Sequence, residues 1–218
     1  MPLLTKALSQ PKDIFLLNHY STKQEYLYHH PVSVGIISGF LAKKLNLNKG
    51  EVIQIALAGC LSDVGMAKVD KAILEKKGSL TTEEFKEIKN HPLNSYKMLQ
   101  KSPILKEHVL IAVLQHHERL NGSGYPLKKS GDKIHMYSRI IAVADVYHAM
   151  VSERNFRLKQ SPYRVLEMIR QDDFGKFDIT VLQALTAGII QFSIGSEVKL
   201  SNGFVGTVVY ENIDRWYS

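Results

Sequence analysis

A single cysteine and a single tryptophan in 218 residues set the first limits on this chain. With Cys60 alone no disulfide framework can form, and its place in the apolar run 55–61 reads as a buried, packed thiol rather than a nucleophile. No stretch of membrane-spanning length is free of charge, and the opening Met1-Pro2-Leu3-Leu4-Thr5-Lys6 has neither a long apolar core nor a cleavage site. A cytoplasmic chain without a membrane segment is therefore expected. Long basic blocks are missing as well. The net charge is +7, but the lysines come as pairs such as Lys43-Lys44 and Lys76-Lys77, with no basic stripe interleaved by aromatics. A solvated lysine-rich exterior accounts for most of that charge, and no DNA or RNA partner is expected. Internal repeats and low-complexity tracts are absent, and so are strand patterns until the last thirty or so residues.

Helical patterns fill the rest. Apolar residues at 34, 37, 41 and 45 recur at spacings of three and four, which predicts an amphipathic helix over 30–47. Asn48 with Glu51, and Thr81 with Glu84, are capping boxes that open two further helices. The first should run to Leu61 with Gly65 as its terminator, and the second should stop near His91, because Pro92 disfavours helical geometry before it. Helices are also predicted from Val109 to the His116-His117 pair, over 138–150, 162–170 and 179–190, with a Gly/Pro loop over 121–131. Only at 197–200 and 204–210, around Ser201-Asn202-Gly203, does a β-hairpin pattern emerge. The predicted division is a helical domain over 1–190 and a short β appendage over 191–218.

Histidines and aspartates stand at the ends of these helices: His30, Asp63, His91, His116, His117 and Asp145. Imidazole and carboxylate together suit iron, manganese or zinc, and a carboxylate can bridge two ions. His19, His108 and His135 read instead as ordinary hydrogen-bonded residues. Adjacent histidines diverge by about 100° on a helix and could straddle a two-ion site.

The run His116-His117-Glu118-Arg119-Leu120-Asn121-Gly122-Ser123-Gly124-Tyr125-Pro126 resembles the signature of the HD-GYP family, with Asn121 at the family's aspartate position. Glu25-Tyr26-Leu27-Tyr28-His29-His30, Lys89-Asn90-His91-Pro92 and the segment from Arg139 to Asp145 resemble further elements of that family. The resemblance covers about residues 14–190. It implies an all-α bundle of the HD superfamily, extended here by the small C-terminal hairpin, that hydrolyses cyclic di-GMP to pGpG or GMP. By the same resemblance His30, Asp63, His91, His116, His117 and Asp145 are metal ligands, with Asp63 the bridging catalytic carboxylate. Two cations would neutralise the phosphodiester oxygens and acidify a water between them. Tyr125, Arg154 and Arg157 would face the substrate.

One element departs from the family. Its H-D-x-G-K reads here Ser62-Asp63-Val64-Gly65-Met66, so a ligand histidine has become serine and a substrate-facing lysine methionine. One ion keeps His91, His116, His117 and Asp63, while the other keeps only His30, Asp63 and Asp145. Serine hydroxyl replaces imidazole poorly, so the second site is expected to be weakened. His29 or His148 could compensate, although His148 reads better as a residue supporting a ligand. Tyr26 stands where some relatives carry a glutamate for a third ion, so no three-metal centre is expected. The expected function is cyclic di-GMP hydrolysis with impaired activity. The alternative is an inactive module that binds the dinucleotide or a protein, with a homodimer or signalling partner left open.

Overall fold

Nine helices and one pair of strands are assigned in a computed structural model, which describes residues 26–76, 78–152, 160–172, 175–189, 197–199 and 202–209. Helix α1, Tyr26–Lys44, begins four residues before the predicted start and buries Val34, Ile37 and Leu41. Its end is closed by Asn46 at φ 59, where the Leu47 amide reaches back to the Ala42 carbonyl and the Asn46 amide to that of Lys43. Helix α2, Lys49–Leu61, starts with both halves of the Asn48/Glu51 capping box in place.

These two helices cross at glycine. A methyl group on Gly35 would stand 2.1 Å from the Cys60 sulfur and 2.8 Å from the Ala56 carbonyl oxygen, and one on Gly59 would meet the Gly35 backbone. The close approach also places Cys60 in the α1–α2 contact. The thiol is half-buried rather than buried as expected, and burial pushes its pKa up, as befits a packed side chain.

Gly65 does not terminate α2 in a left-handed conformation. It lies inside a 3-10 segment, Val64–Lys68, where a Cβ would collide with the His91 carbonyl oxygen and the Ser95 backbone nitrogen. The glycine thus lets this segment close on the backbone over 91–95. Together, α2 and the 3-10 segment make up the stretch Lys49–Lys68, which is long and apolar enough to cross a membrane by composition alone. In this fold Val52, Ile55, Ala56 and Ala58 of that stretch are buried.

A short helix α3, Lys71–Leu74, leads to α4, Thr82–Ile88, which opens with the Thr81/Glu84 capping box. Helix α5, His91–Leu99, was not foreseen: Pro92 ends one helix and sits in the first turn of another, where its missing N–H costs nothing. Helix α6 covers Glu107–Gln115 and α7 Met136–Val151. The latter is the buried axis, with Ile140, Ile141, Val143, Ala144 and Tyr147 inaccessible, and α1 and α6 pack on it. Helices α8, Pro162–Asp172, and α9, Ile179–Ile189, close the core with Val165, Ile169, Val181 and Leu185. The fold is all-α. Its one sheet among the described residues is the antiparallel pair β1, Glu197–Lys199, and β2, Val205–Thr207, with Val198 opposite Gly206. Gly203, at φ 90, lies in the connection.

The α1–α2 crossing yields a prediction. Gly35→Ala should lower the thermal midpoint through overpacking of about 1–3 kcal/mol.

Candidate metal centre

Asp63 follows the last turn of α2 and precedes the 3-10 segment, and its carboxylate caps no backbone amide. It is therefore free to meet the histidines delivered by three other elements. Oδ1 lies 3.1 Å from His91 Nε2 and 3.4 Å from His116 Nε2, while Oδ2 lies 3.4 Å from His30 Nε2. The two oxygens thus face different histidine groups, as a bridging carboxylate requires.

The tautomers of His91 and His116 follow from their other ring nitrogens. His91 Nδ1 donates to the Ile88 carbonyl at 2.8 Å, and His116 Nδ1 donates to the Val113 carbonyl at 2.7 Å. A carbonyl can only accept, so both Nδ1 atoms carry hydrogen and, in the neutral rings, both Nε2 atoms present lone pairs. Those lone pairs stand 3.2 Å apart and both face Asp63 Oδ1. Three acceptors aimed into one small space repel one another unless a cation lies among them. Carbonyls behind ligand imidazoles are the usual means of fixing such rings. Ligand atoms of Asp63, His91, His116 and His117 all lie within 4.8 Å of one another, so the donor set fits a divalent ion of the iron, manganese or zinc class.

His117 is the fourth member. Its ring lies 4.1 Å from that of His116, because both residues have passed the end of α6 rather than diverging around it. Burial, reinforced by repulsion from His116 and His91, holds its pKa well below the usual value, which keeps the ring neutral and able to donate a lone pair. Asp63 is held in the carboxylate form: burial works against the charge, but the adjoining His116, His30 and His91 rings outweigh it.

The second half of the site has fewer donors. His30 Nε2 lies 3.0 Å from Asp145 Oδ1, and His117 Nδ1 lies 3.6 Å from Asp145 Oδ2. Burial would lower the His30 pKa, but the bonds to Asp145 and Asp63 outweigh it and raise it to about 9. An ion entering here must displace that proton, which costs affinity at neutral pH. Asp145 is itself held low, against its burial, by the His30 bond.

Behind His30, Nδ1 meets the Tyr26 hydroxyl at 2.9 Å and His148 Nδ1 at 2.8 Å, and His148 Nε2 lies 3.2 Å from the Ser152 hydroxyl. Burial and the neighbouring His30 lower the His148 pKa to about 3, so His148 is neutral and accepts from His30. It braces the far side of His30 and does not stand in for the missing histidine. Ser62 does not replace that ligand either: its hydroxyl donates to the Gly59 carbonyl at 2.9 Å, inside its own helix.

The loop over 116–126 folds back on the site. A Cβ on Gly124 would fall 2.5 Å from backbone atoms of His117, Glu118 and Arg119. The Tyr125 amide donates to the His117 carbonyl, and the Tyr125 ring stacks on the His117 ring with centroids 4.6 Å apart. Asn121 Oδ1 accepts from both the amide and the hydroxyl of Ser123, a turn that asparagine makes as well as aspartate. Sequence reasoning passed over Glu118, which is 2% exposed and accepts from the Leu127 and Lys129 amides at 2.6 and 2.9 Å. Its position inside the signature was the available clue. His108 and His135 stack on each other away from this centre. His19, Arg154 and Arg157 lie outside the described residues.

A profile described as "HD domain" matches residues 16–181. The chain belongs to the HD domain family. The loop over 116–126 is that of its HD-GYP members, and the HD element is degenerate at Ser62. The chain is 33% identical over 207 residues to the cyclic di-GMP phosphodiesterase PA4108 of Pseudomonas aeruginosa, an alignment covering 94% of this chain and 49% of that protein. It is 31% identical over 181 residues to the 3'3'-cGAMP-specific phosphodiesterase 1 of Vibrio cholerae, covering 82% of this chain and 42% of the relative. The chain thus spans about half the length of these relatives or less. Among solved structures, Bd1817, an HDG"Y"P protein from Bdellovibrio bacteriovorus, shares the fold with a TM-score of 0.71 at 18% identity, over 85% of this chain and 59% of that one.

Glu118 gives a test of the loop. Glu118→Ala should leave two part-buried amides without their charged acceptor, at about 1.5–3 kcal/mol for each such bond. Amide exchange at Leu127 and Lys129 should accelerate, while the Ala112 amide in α6 stays protected.

Proposed function

We propose that this domain is a metal-dependent phosphodiesterase acting on cyclic di-GMP, with one firmly held ion and a second held weakly. The observation that carries the reading is the convergence of the His91 and His116 lone pairs on Asp63 Oδ1, with both rings fixed from behind by backbone carbonyls. Divalent cations at such a centre supply Lewis acidity toward a phosphodiester and lower the pKa of water. The protein's own part is to orient His91, His116 and His117, to keep Asp63 and Asp145 ionised, and to present the Tyr125 ring beside the centre for a guanine. Arg154 and Arg157 are assigned to the substrate phosphates. Cyclic di-GMP is preferred to 3'3'-cGAMP because the first-named relative carries that substrate in its name, but the two dinucleotides share the same phosphodiester ring.

A second reading, a module that binds the dinucleotide without cleaving it, is favoured by one observation. The Ser62 hydroxyl is spent on Gly59, so His30 and Asp145 lack the partner that would complete a second ion site. Turnover of cyclic di-GMP and of 3'3'-cGAMP, measured with added manganese or iron, separates the readings. Binding without cleavage of either compound would establish the second.

Elemental analysis of the purified chain should find about one retained ion after dialysis, and His91→Ala should lose it, since loss of even a supporting residue costs about 10- to 100-fold in metal affinity. Ser62→His should raise retention toward two ions and increase hydrolysis. Two firmly held ions in the wild type would contradict the weakened second site. Calorimetric titration should show clearly weaker cyclic di-GMP binding by Arg154→Ala, with arginine–phosphate contacts as the reason; unchanged affinity would remove Arg154 from the site.

A further inference from the structure

Lys89 stands at the mouth of this centre in a setting that its sequence neighbours do not require. Its ammonium lies 4.5 Å from the centroid of the Phe85 ring and 5.5 Å from that of Tyr125. Tyr125 in turn stacks on His117, so the ring that the ammonium approaches also touches a candidate ligand. Phe85 is 47% exposed, and one face of its ring is covered by the Lys89 ammonium. No carboxylate pairs with the Lys89 ammonium among the described residues, whereas Lys76, on the other side of α4, is neutralised by Glu84 at 2.6 Å. A half-buried lysine held between two rings, and given no anion by the described residues, is placed to receive one from a ligand.

Position explains why it matters. Gly65 packs on the His91 carbonyl, so the segment bearing Met66 and the α4–α5 junction bearing Lys89 meet at the same corner of the site. Methionine at 66 leaves that corner without a cation from the 3-10 segment. Lys89 supplies one from the α4–α5 junction.

We infer that Lys89 binds a phosphate of the cyclic dinucleotide, held in place by Phe85 and Tyr125. It is thus a substrate-binding residue that supplies the positive charge absent at Met66. The inference rests on the proposed function. The contact is to charge, not to a base, so it should serve cyclic di-GMP and 3'3'-cGAMP equally.

The test uses manganese-loaded wild type, Lys89→Met and Lys89→Arg, titrated with a hydrolysis-resistant phosphorothioate analogue of cyclic di-GMP and, separately, with that of 3'3'-cGAMP. Lys89→Met should weaken binding of both by roughly tenfold or more, as expected for loss of a charge-assisted contact. Lys89→Arg should restore most of it, and the affinity of Lys89→Met should depend less on added salt than that of the wild type. Metal content and thermal midpoint should be the same in all three. Equal affinity of Lys89→Met and wild type would overturn the assignment while leaving the proposed function standing. Loss confined to one dinucleotide would make Lys89 a base reader, and a parallel loss of metal would make it structural; either overturns the inference. If the wild type binds neither analogue, the proposed function fails together with it.

Discussion

Mutual repulsion among lone pairs is the constraint around which this chain is organised. Asp63 Oδ1 and the Nε2 atoms of His91 and His116 face one another across 3.1–3.4 Å, from the end of α2, the start of α5 and the end of α6. Left to themselves, these groups would turn toward water or toward separate donors. They are prevented by bonds made elsewhere: Nδ1 of each histidine is tied to a carbonyl three residues upstream in its own chain segment. Further out, the Ser95 hydroxyl donates to the Ser62 carbonyl and accepts from the Gly65 amide, which fastens the Asp63 segment to α5. Each of these bonds uses backbone groups that helix termini leave unpaired. The half of the site built on Asp63, His91 and His116 lies at helix ends for that reason, whereas His30 and Asp145 project from within α1 and α7.

The two halves of the centre are unequal electrically. On one side three imidazoles gather near a single carboxylate oxygen, and a divalent cation gains there without displacing a proton from His117. On the other, His30 already satisfies Asp145 and Asp63 as an imidazolium. That proton does part of what a second cation would do. A serine at position 62, its hydroxyl turned to the Gly59 carbonyl, adds no donor here. It leaves two carboxylates and one histidine able to settle their charges among themselves, with His148 and Tyr26 holding the far edge of the ring.

Much of this was legible in the sequence, for identifiable reasons. Both capping boxes are local, four-residue devices, and both formed as read. The six His and Asp positions were legible because a long signature anchored them, and they do converge in space. What failed was whatever depended on packing between distant segments. Gly65 read as a stop because a glycine after a helix usually is one; its actual role is set by the His91 carbonyl, 26 residues away. Pro92 marked the end of one helix but gave no notice that it also began α5. Glu118 was hidden for a different reason: a buried carboxylate whose partners are backbone amides leaves no pattern in side-chain identities.

Lys89 belongs with those hidden features. In the chain it is one of many lysines, and the two rings that distinguish it lie four residues before and thirty-six residues after it. The spacing to Phe85 is a helical one, and the approach of Tyr125 depends on the fold of the glycine-rich loop, which in turn hangs on Glu118. The surroundings of a cation at the mouth of the site are thus coupled to the same loop that stacks Tyr125 on His117. A loop that loses its Glu118 anchor disturbs both neighbours of the Tyr125 ring at once, His117 and Lys89. Ligand orientation and substrate charge recognition, which look like separate properties, are in this chain mechanically one.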